Sequence, residues 1–203
     1  MLESLENDVF LFSSLRTHAE LFEASRQLLT DDKKIKSFET FSNDVKGIKD
    51  SHRKYLEAEY EFAVGTVQMA ERWEAFEDGD NYYLQYRTAG DDKVRDSHAI
   101  LHNITLPKTD LFWLKYFAPN GWRCRCTVVQ VLARNNKVSN SKKALKNGEK
   151  ATTQIGKNGK NTLEIFRFNP AVQKVAFPPK HPYHKIAGAT KVKSMVKKQQ
   201  NAK

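Results

Sequence analysis

The stretch SHRKYLEAEYEFAVGTVQMAERWEAF, residues 51–76, decides the fold, because it carries the strongest helical pattern of the chain. Its apolar residues recur every three to four positions and form two adjacent rows. The first row is Leu56, Tyr60, Ala63, Val67 and Ala70, and the second is Phe62, Met69, Trp73 and Phe76. Two adjacent rows make a wide apolar stripe, which is typical of a central helix. We therefore predict a long, well-buried helix here, with its aromatic side chains in the core.

Weaker patterns on both sides of this helix complete the predicted fold. Residues 13–29 predict an earlier amphipathic helix, with Leu15, Ala19, Phe22 and Leu29 at helical spacing. Three later segments read as strands, with a loop before the second: YYLQYRT (82–88), WRCRCTVVQVLA (122–133) and NTLEIFRFNP (161–170). Helices followed by strands predict an α+β fold, with N-terminal helices packed on a small mixed, mainly antiparallel sheet.

Composition sets limits on the class of protein. The chain has 203 residues, of which 39% are hydrophobic, so one or two domains are expected. No apolar run is long enough for a membrane span, and the acidic N-terminus differs from a secretory signal peptide. Two cysteines do not make a disulfide framework. These features predict a protein of a reducing cytoplasm that does not contact membranes.

Charge divides the chain into an acidic body and a basic end. Residues 1–133 carry a net charge of −5 and residues 134–203 one of +15. We predict an N-terminal helical segment at 1–50, a central domain at 51–185, and an extended, flexible basic tail at 186–203. A basic tail favours contact with a polyanion or an acidic protein surface. The predicted contact residues for nucleic acid or a partner are Lys191, Lys193, Lys197 and Lys198.

Both cysteines lie in APNGWRCRC, residues 118–126. On a strand, Cys124 and Cys126 would share one face, and Arg123 and Arg125 the other. The C-x-C spacing differs from that of redox proteins, and a zinc site needs about four ligands. Zinc would therefore require histidines from elsewhere, with His98, His102, His181 and His184 as the candidates. The favoured interpretation is two buried thiols that act as small apolar groups, with no metal.

A second polar cluster, YRTAGDDKVRDSHAILH, covers residues 86–102. His98 and His102 could share a helix face, but the glutamate of an H-E-x-x-H zinc motif is absent. One alternative makes His98 a general base that Asp91 orients. The favoured interpretation is a network of ion pairs and caps that fixes this turn to the cysteine strand, because half-buried charges need partners.

Together the two clusters resemble the phage Mu F-like family, which includes the minor head protein of phage SPP1. The resemblance rests on LQYRTAGDDKVRDSHAILHNITLP, FW and PNGWRCRCTVVQV. It covers roughly residues 10–185. It implies that the predicted central domain, residues 51–185, is a Mu F-like domain. Three positions depart from the family pattern: Asp110-Leu111, Ala118 and the NPAVQ segment. The family-motif residues are Arg87, Gly90, Asp91, Arg95, His98, Asn120, Gly121, Trp122, Cys124, Arg125 and Cys126.

The resemblance implies a minor head protein of a phage or prophage. Such a protein would be part of the virion, be assembled in the host cytoplasm, and contact the portal protein, the major capsid protein or packaged DNA. It implies no cofactor and no catalytic residue. The alternative is a phage-delivered effector enzyme. A nuclease would use His98, Arg95 and the arginine face, whereas an ADP-ribosyltransferase would need a placed glutamate, and Glu149 and Glu164 stand isolated.

Overall fold

The computed structural model describes residues 1–202 and confirms the α+β class. Its α-helices are α1 (Leu2–Ser25), α2 (Phe38–Ala75), α3 (Asp96–Ala99), α4 (Leu111–Tyr116), α5 (Ser141–Ala151), α6 (Pro170–Gln173) and α7 (Ala189–Gln200). Its strands are β1 (Tyr82–Arg87), β2 (Thr105–Leu106) and β3 (Thr127–Leu132). The helix α2 continues through residue 50, where the sequence suggested a boundary between the N-terminal segment and the central domain.

The three strands form one antiparallel sheet in the order β2-β1-β3. The central strand β1 buries Leu84 and Tyr86 completely, as expected for aromatic and apolar residues in a strand with two neighbours. The register places Arg87, at the end of β1, opposite Thr127, at the start of β3. The turn that follows β1 and the loop that precedes β3 therefore lie side by side.

Helix α2 belongs to both apolar clusters of the molecule. Met69 packs in the cluster around the sheet, together with Tyr86 and Trp113. Phe62 packs in a second cluster beneath α1, and Trp73 touches both. The second apolar row predicted for this helix is therefore in the core, which confirms its central position.

The prediction that α2 is well buried is wrong for part of its first apolar row. Leu56 is 51% exposed and Tyr60 is 68% exposed, whereas Phe62 is 2% exposed. The helix has 38 residues, and a helix of that length extends over about 57 Å, further than a small sheet can cover. Its first half is covered by α1 on the side of the buried His52 and Glu59, which leaves the opposite side facing solvent.

Two predicted strands are corrected as well. The strand expected at 122–133 begins only at Thr127, because a turn closed by the Cys124 N–H and the Gly121 carbonyl (3.2 Å) comes first. The strand expected at 161–170 is absent from the described residues. There, Glu164–Phe166 form a 3-10 turn, and Asn169 caps α6 with Pro170 at its first position, a common way to start a helix.

The C-terminal region is a helix rather than an extended tail over Ala189–Gln200. Ala189 and Val196 are buried, and the half-buried Val192 lies between them at helical spacing. The Gln200 side chain donates a hydrogen bond to the Asn7 carbonyl of α1 (3.1 Å). This contact between the two ends of the chain explains why the basic segment adopts regular structure. Lys203 lies outside the described residues.

Gly148 of α5 allows this helix to lie directly on α4. A Cβ atom at Gly148 would come within 2.3 Å of the Tyr116 ring. We expect Gly148→Ala to lower the free energy of unfolding by about 1–2 kcal/mol, because overpacking outweighs the better helix propensity of alanine. Urea unfolding followed by circular dichroism measures this change.

Gly65 of α2 provides the matched control, because a Cβ there meets nothing within 4 Å. Gly65→Ala should raise the free energy of unfolding by about 0.5–1 kcal/mol. If both alanine variants were stabilised equally, the close contact between α4 and α5 would be disproved.

Candidate functional site

The site lies where the turn after β1 faces the loop before β3. The turn leads into the short helix α3, which contains His98, and the loop contains Cys124 and Cys126. The pairing of Arg87 with Thr127 brings these two segments together although they are about 26 residues apart in the chain.

His98, Cys124 and Cys126 form a compact cluster in this place. The His98 Nδ1 atom lies 3.6 Å from the Cys124 sulfur and 3.7 Å from the Cys126 sulfur. The three potential ligand atoms are all within 4.8 Å of one another. His98 is 2% exposed and Cys126 is 7% exposed, and both thiols are free. The sequence raised this combination as an alternative, and the structure brings the three side chains together.

The cysteine loop presents its side chains in two directions, as the spacing predicted. Cys124 and Cys126 point to His98, and the following Val128 is buried. Arg123 and Arg125 are exposed. The predicted strand is not needed for this arrangement, since Arg123 adopts a left-handed conformation (φ 57°) that turns the chain before β3.

The two thiols have unequal acidities. The pKa of Cys124 is well below its ordinary value, first because the Cys126 thiol donates a hydrogen bond to it and also because His98 is close, although burial acts in the opposite direction. The pKa of Cys126 is raised, because it keeps the shared proton and because it is buried. A thiolate beside an imidazole is a donor set that suits soft or borderline metal ions.

Tyr86 and Asn120 form the floor of the cluster. The Tyr86 hydroxyl donates to Asn120 Oδ1 (2.9 Å), and Asn120 Nδ2 donates to the Phe117 carbonyl (3.2 Å). Burial, followed by the neighbouring thiols, raises the pKa of Tyr86 well above its ordinary value. Tyr86 was not among the predicted site residues, although its place in a predicted strand was a usable signal.

Polar contacts fasten the turn to the loop on the outside of the cluster. Arg125 donates two hydrogen bonds of 2.6 Å to the Asp91 carboxylate, which lowers the pKa of Asp91. Arg95 donates to the Trp122 carbonyl. Gly90 has a φ of 76°, a conformation that favours glycine, so it allows the turn to reach Arg125. A Cβ atom at Gly121 would meet the Arg95 guanidinium at 3.4 Å.

The Trp122 ring anchors the same loop in the core. It packs edge-on against Phe62 and Phe166, with ring centres 5.0 and 5.1 Å apart. It also lies 5.8 Å from His181. The loop is therefore held by apolar packing at one end and by the Asp91–Arg125 pair at the other.

A groove of about 910 Å³ opens beside the cluster, and His98, Cys124 and Cys126 all line it. Its cationic side chains are Arg72, Lys93, Arg95, Arg123 and Arg125. The carboxylates that line it are Glu57 and Glu61, and Arg123 pairs with Glu57 at 3.0 Å. The groove therefore has a positive balance, which favours small anions or acidic side chains.

The other candidate residues lie elsewhere. His102 is exposed, and its Nδ1 accepts from the Thr88 backbone N–H (3.2 Å). His184 belongs to the 3-10 turn Pro182–Lys185, and His181 directly precedes that turn. The four candidate lysines lie on α7, where Lys191, Lys197 and Lys198 are exposed and Lys193 is half-buried. None of these residues is among those that line the groove.

Comparison with known proteins gives two matches. Residues 33–129 match the family described as Phage Mu protein F like protein. A segment of 46 residues is 46% identical to capsid assembly protein F of Escherichia phage Mu, and it covers 23% of this chain and 10% of that protein. No solved structure matches at a significant level. Within residues 1–202, no helix has the length and apolar character that crossing a membrane requires.

Proposed function

We propose that this chain, whose residues 33–129 match the phage Mu F-like family, is a minor head protein of that family that acts in the assembly of a phage or prophage head. The family match carries this proposal, and the segment that resembles capsid assembly protein F supports it. The matched residues include α2 and the whole His98–Cys124–Cys126 cluster. Because the chain spans only a tenth of that relative, the role in head assembly is a proposal for this protein.

The exposed side of the first part of α2, with the loop residue Ile35 before it, is the proposed contact with the portal or the major capsid protein. Several large apolar side chains are exposed in this region: Ile35 (78%), Phe38 (83%), Tyr55 (57%), Leu56 (51%) and Tyr60 (68%). Grouped apolar side chains on a protein surface are typical of interaction sites, and aromatic residues contribute most to such interfaces. A head component that covers these side chains would give the protruding half of α2 its partner.

The basic C-terminal region is the proposed contact with packaged DNA or an acidic partner surface. Lys191, Lys197 and Lys198 extend from α7 into solvent, and residues 134–203 carry a charge of +15. Such contacts release counterions, so DNA binding through this helix would weaken steeply as the salt concentration rises.

Binding to purified head components tests the proposal. The protein should form a complex with the portal protein or the major capsid protein of the same phage, detected by size-exclusion chromatography and sedimentation. Tyr60→Ala should weaken this complex about thirtyfold, because truncating an aromatic side chain that anchors an interface costs about 2 kcal/mol.

Leu111→Ala on α4 is the matched control, because Leu111 is similarly exposed (63%) but lies outside both proposed contact surfaces. This variant should bind as the unchanged protein does. Failure of both head components to bind would refute the role in assembly. Equal loss in both variants would refute the proposed contact surface.

A phage-delivered effector enzyme receives less support from the geometry. A nuclease would need His98 as a base, but its Nδ1 faces two sulfurs and the ring is buried. A transferase would need a free carboxylate at the groove, where Glu57 and Glu61 both lie beside Arg123 (3.0 and 3.9 Å). Glu164 lies on the 3-10 turn Glu164–Phe166, near Lys180 (3.8 Å), and is not among the groove residues.

A further inference from the structure

We propose that His98, Cys124 and Cys126 bind one zinc ion, with the fourth coordination position open to the groove. Two sulfurs and one imidazole nitrogen form a donor set that zinc prefers. Among the described residues they form a cluster of potential metal ligands whose members are buried or half-buried. This inference stands apart from the role in head assembly, since either could hold without the other.

The spacing of the donor atoms fits a tetrahedral ion. Zinc–sulfur bonds of about 2.3 Å and a zinc–nitrogen bond of about 2.05 Å, at a tetrahedral angle, place sulfur and nitrogen about 3.6 Å apart. The observed distances from His98 Nδ1 to the two sulfurs are 3.6 and 3.7 Å. The two sulfurs also lie within 4.8 Å of each other, so all three atoms are close enough to share one ion.

The surroundings favour a ligand over a simple apolar contact. The His98 Nε2 atom is buried and has no hydrogen-bond partner among the described residues. Two cysteines that served only as small apolar groups would not need a buried imidazole between them, because an unpaired ring nitrogen is costly. A cation at Nδ1 would leave Nε2 unpaired, but its bonds to Nδ1 and to the two sulfurs would offset the cost of burying the ring and would stabilise the thiolate form of both cysteines.

Neighbouring groups hold the ligands in place. Arg125 and Asp91 join the two segments that carry the ligands, and Arg95 joins them again through the Trp122 carbonyl. The Tyr86 ring beneath the sulfurs is held by its hydroxyl, which donates to Asn120 Oδ1 (2.9 Å). The site is thus formed before any ion arrives.

The open position follows from the groove. All three ligands line it, so water or a small anion can reach an ion held between them. Sites with three protein ligands and one exchangeable position are a known class of zinc site. The cations around the groove would favour an anionic fourth ligand, such as a carboxylate.

Metal analysis of the full chain tests the proposal. Protein that is expressed with added Zn²⁺ and purified without chelators should contain about one zinc per chain by mass spectrometry. Titration of the metal-free chain with Co²⁺ should give a thiolate-to-cobalt charge-transfer band and strong visible bands, as a tetrahedral ion with sulfur ligands does. His98→Gln and Cys126→Ser should each weaken cobalt binding by more than about a hundredfold, beyond the loss that an outer neighbour causes.

His102→Gln is the matched control, because this exposed histidine lies outside the cluster and should leave the binding unchanged. Should the ligand variants fail to fold, the unchanged protein still decides the matter. Zn²⁺ should protect both thiols from iodoacetamide, and a chelator should remove the protection. Absence of zinc and of the sulfur-to-cobalt band would overturn the proposal. Undiminished binding in a folded His98→Gln variant, or unprotected thiols, would overturn it too.

Discussion

Replacement of Arg16 by methionine is expected to lower the free energy of unfolding by about 3–5 kcal/mol, because it leaves a buried carboxylate without its cation. Glu59 is 5% exposed, and its Oε2 atom lies 2.8 Å from Arg16 Nε. Tyr183 donates a hydrogen bond to the other oxygen (3.0 Å). One neutral hydroxyl cannot compensate for the lost positive charge.

This network joins three elements that the sequence separates widely. Arg16 lies on α1, Glu59 on α2, and Tyr183 in the turn Pro182–Lys185. Arg16 also donates to the His52 carbonyl of α2 (2.7 Å). The loss of Arg16 should therefore loosen the helical end that we propose as the contact surface, and not only lower the stability.

Two further variants separate the effect of leaving the Glu59 carboxylate unpaired from the effect of lost packing. The double variant Arg16→Met/Glu59→Leu keeps neither charge of the buried pair, so it should recover most of the free energy of unfolding that Arg16→Met loses. Arg123→Met removes an exposed pair with Glu57, at 58% and 70% side-chain exposure, and should change the stability by less than about 1 kcal/mol. Urea unfolding followed by circular dichroism measures all three. A double variant as unstable as the single one would refute the explanation through an unpaired carboxylate.

Two strands of the sheet and the central helix were accessible from the sequence. The aromatic and β-branched bias of YYLQYRT predicted β1, and the second apolar row predicted which face of α2 enters the core. The short strand β2 lies in a segment that was predicted as a loop. Periodicity could not show where α2 leaves the core, because the exposed Leu56 and Tyr60 continue the same pattern. The point where α2 leaves the core is set by how far α1 and the sheet extend along it, and the pattern of α2 itself does not contain that information.

Irregular segments were harder to predict from the sequence, because residues that favour turns and helix starts lie next to residues that favour strands. The residues IFRF resemble a strand, but Asn169 and Pro170 start a helix directly after them. The Asn169 side chain also donates to the Trp113 carbonyl (3.1 Å), a contact between residues far apart in the chain. A single sequence carries no signal for such a contact.

The candidate site was predictable in its parts but not in its assembly. The C-x-C spacing predicted two thiols on one side, and the polar turn predicted partners for its charges. Which histidine meets the thiols depends on the pairing of Arg87 with Thr127, and four histidines were candidates. The structure selects His98, because α3 begins directly after the turn that Arg95 and Asp91 fix to the cysteine loop.

Acid should destabilise the protein through His181, by about 3 kcal/mol between its unfolded and folded pKa values. Burial, followed by the nearby charge of His184, lowers the pKa of His181 from 6.5 to about 4. Between these values the unfolded chain binds a proton that the folded protein does not. Stability is therefore complete above pH 6.5 and declines as the pH falls towards about 4.

The surroundings of His181 explain why it stays neutral. Its Nδ1 atom accepts a hydrogen bond from the Tyr183 backbone N–H (3.3 Å), which a proton on that atom would abolish. The ring lies near Phe12, Trp122 and Tyr183, at centre distances of 5.1, 5.8 and 4.3 Å. Because Trp122 anchors the cysteine loop, protonation of His181 should also disturb the candidate zinc site.

His181→Asn isolates this effect, because an asparagine oxygen can accept the same N–H while it cannot be protonated in this range. The variant loses ring packing at every pH, and its free energy of unfolding should lack the His181 part of the decline between pH 6.5 and about 4. His184, whose pKa is also lowered by burial, is present in both proteins and cancels in the difference. Asp8, whose pKa is raised by burial, gives a pH dependence of opposite sign and is present in both proteins, so it cancels in the difference. Urea unfolding across this range measures that difference. Parallel curves for the two proteins would show that the acid sensitivity resides elsewhere, since only a proton on His181 makes the difference depend on pH.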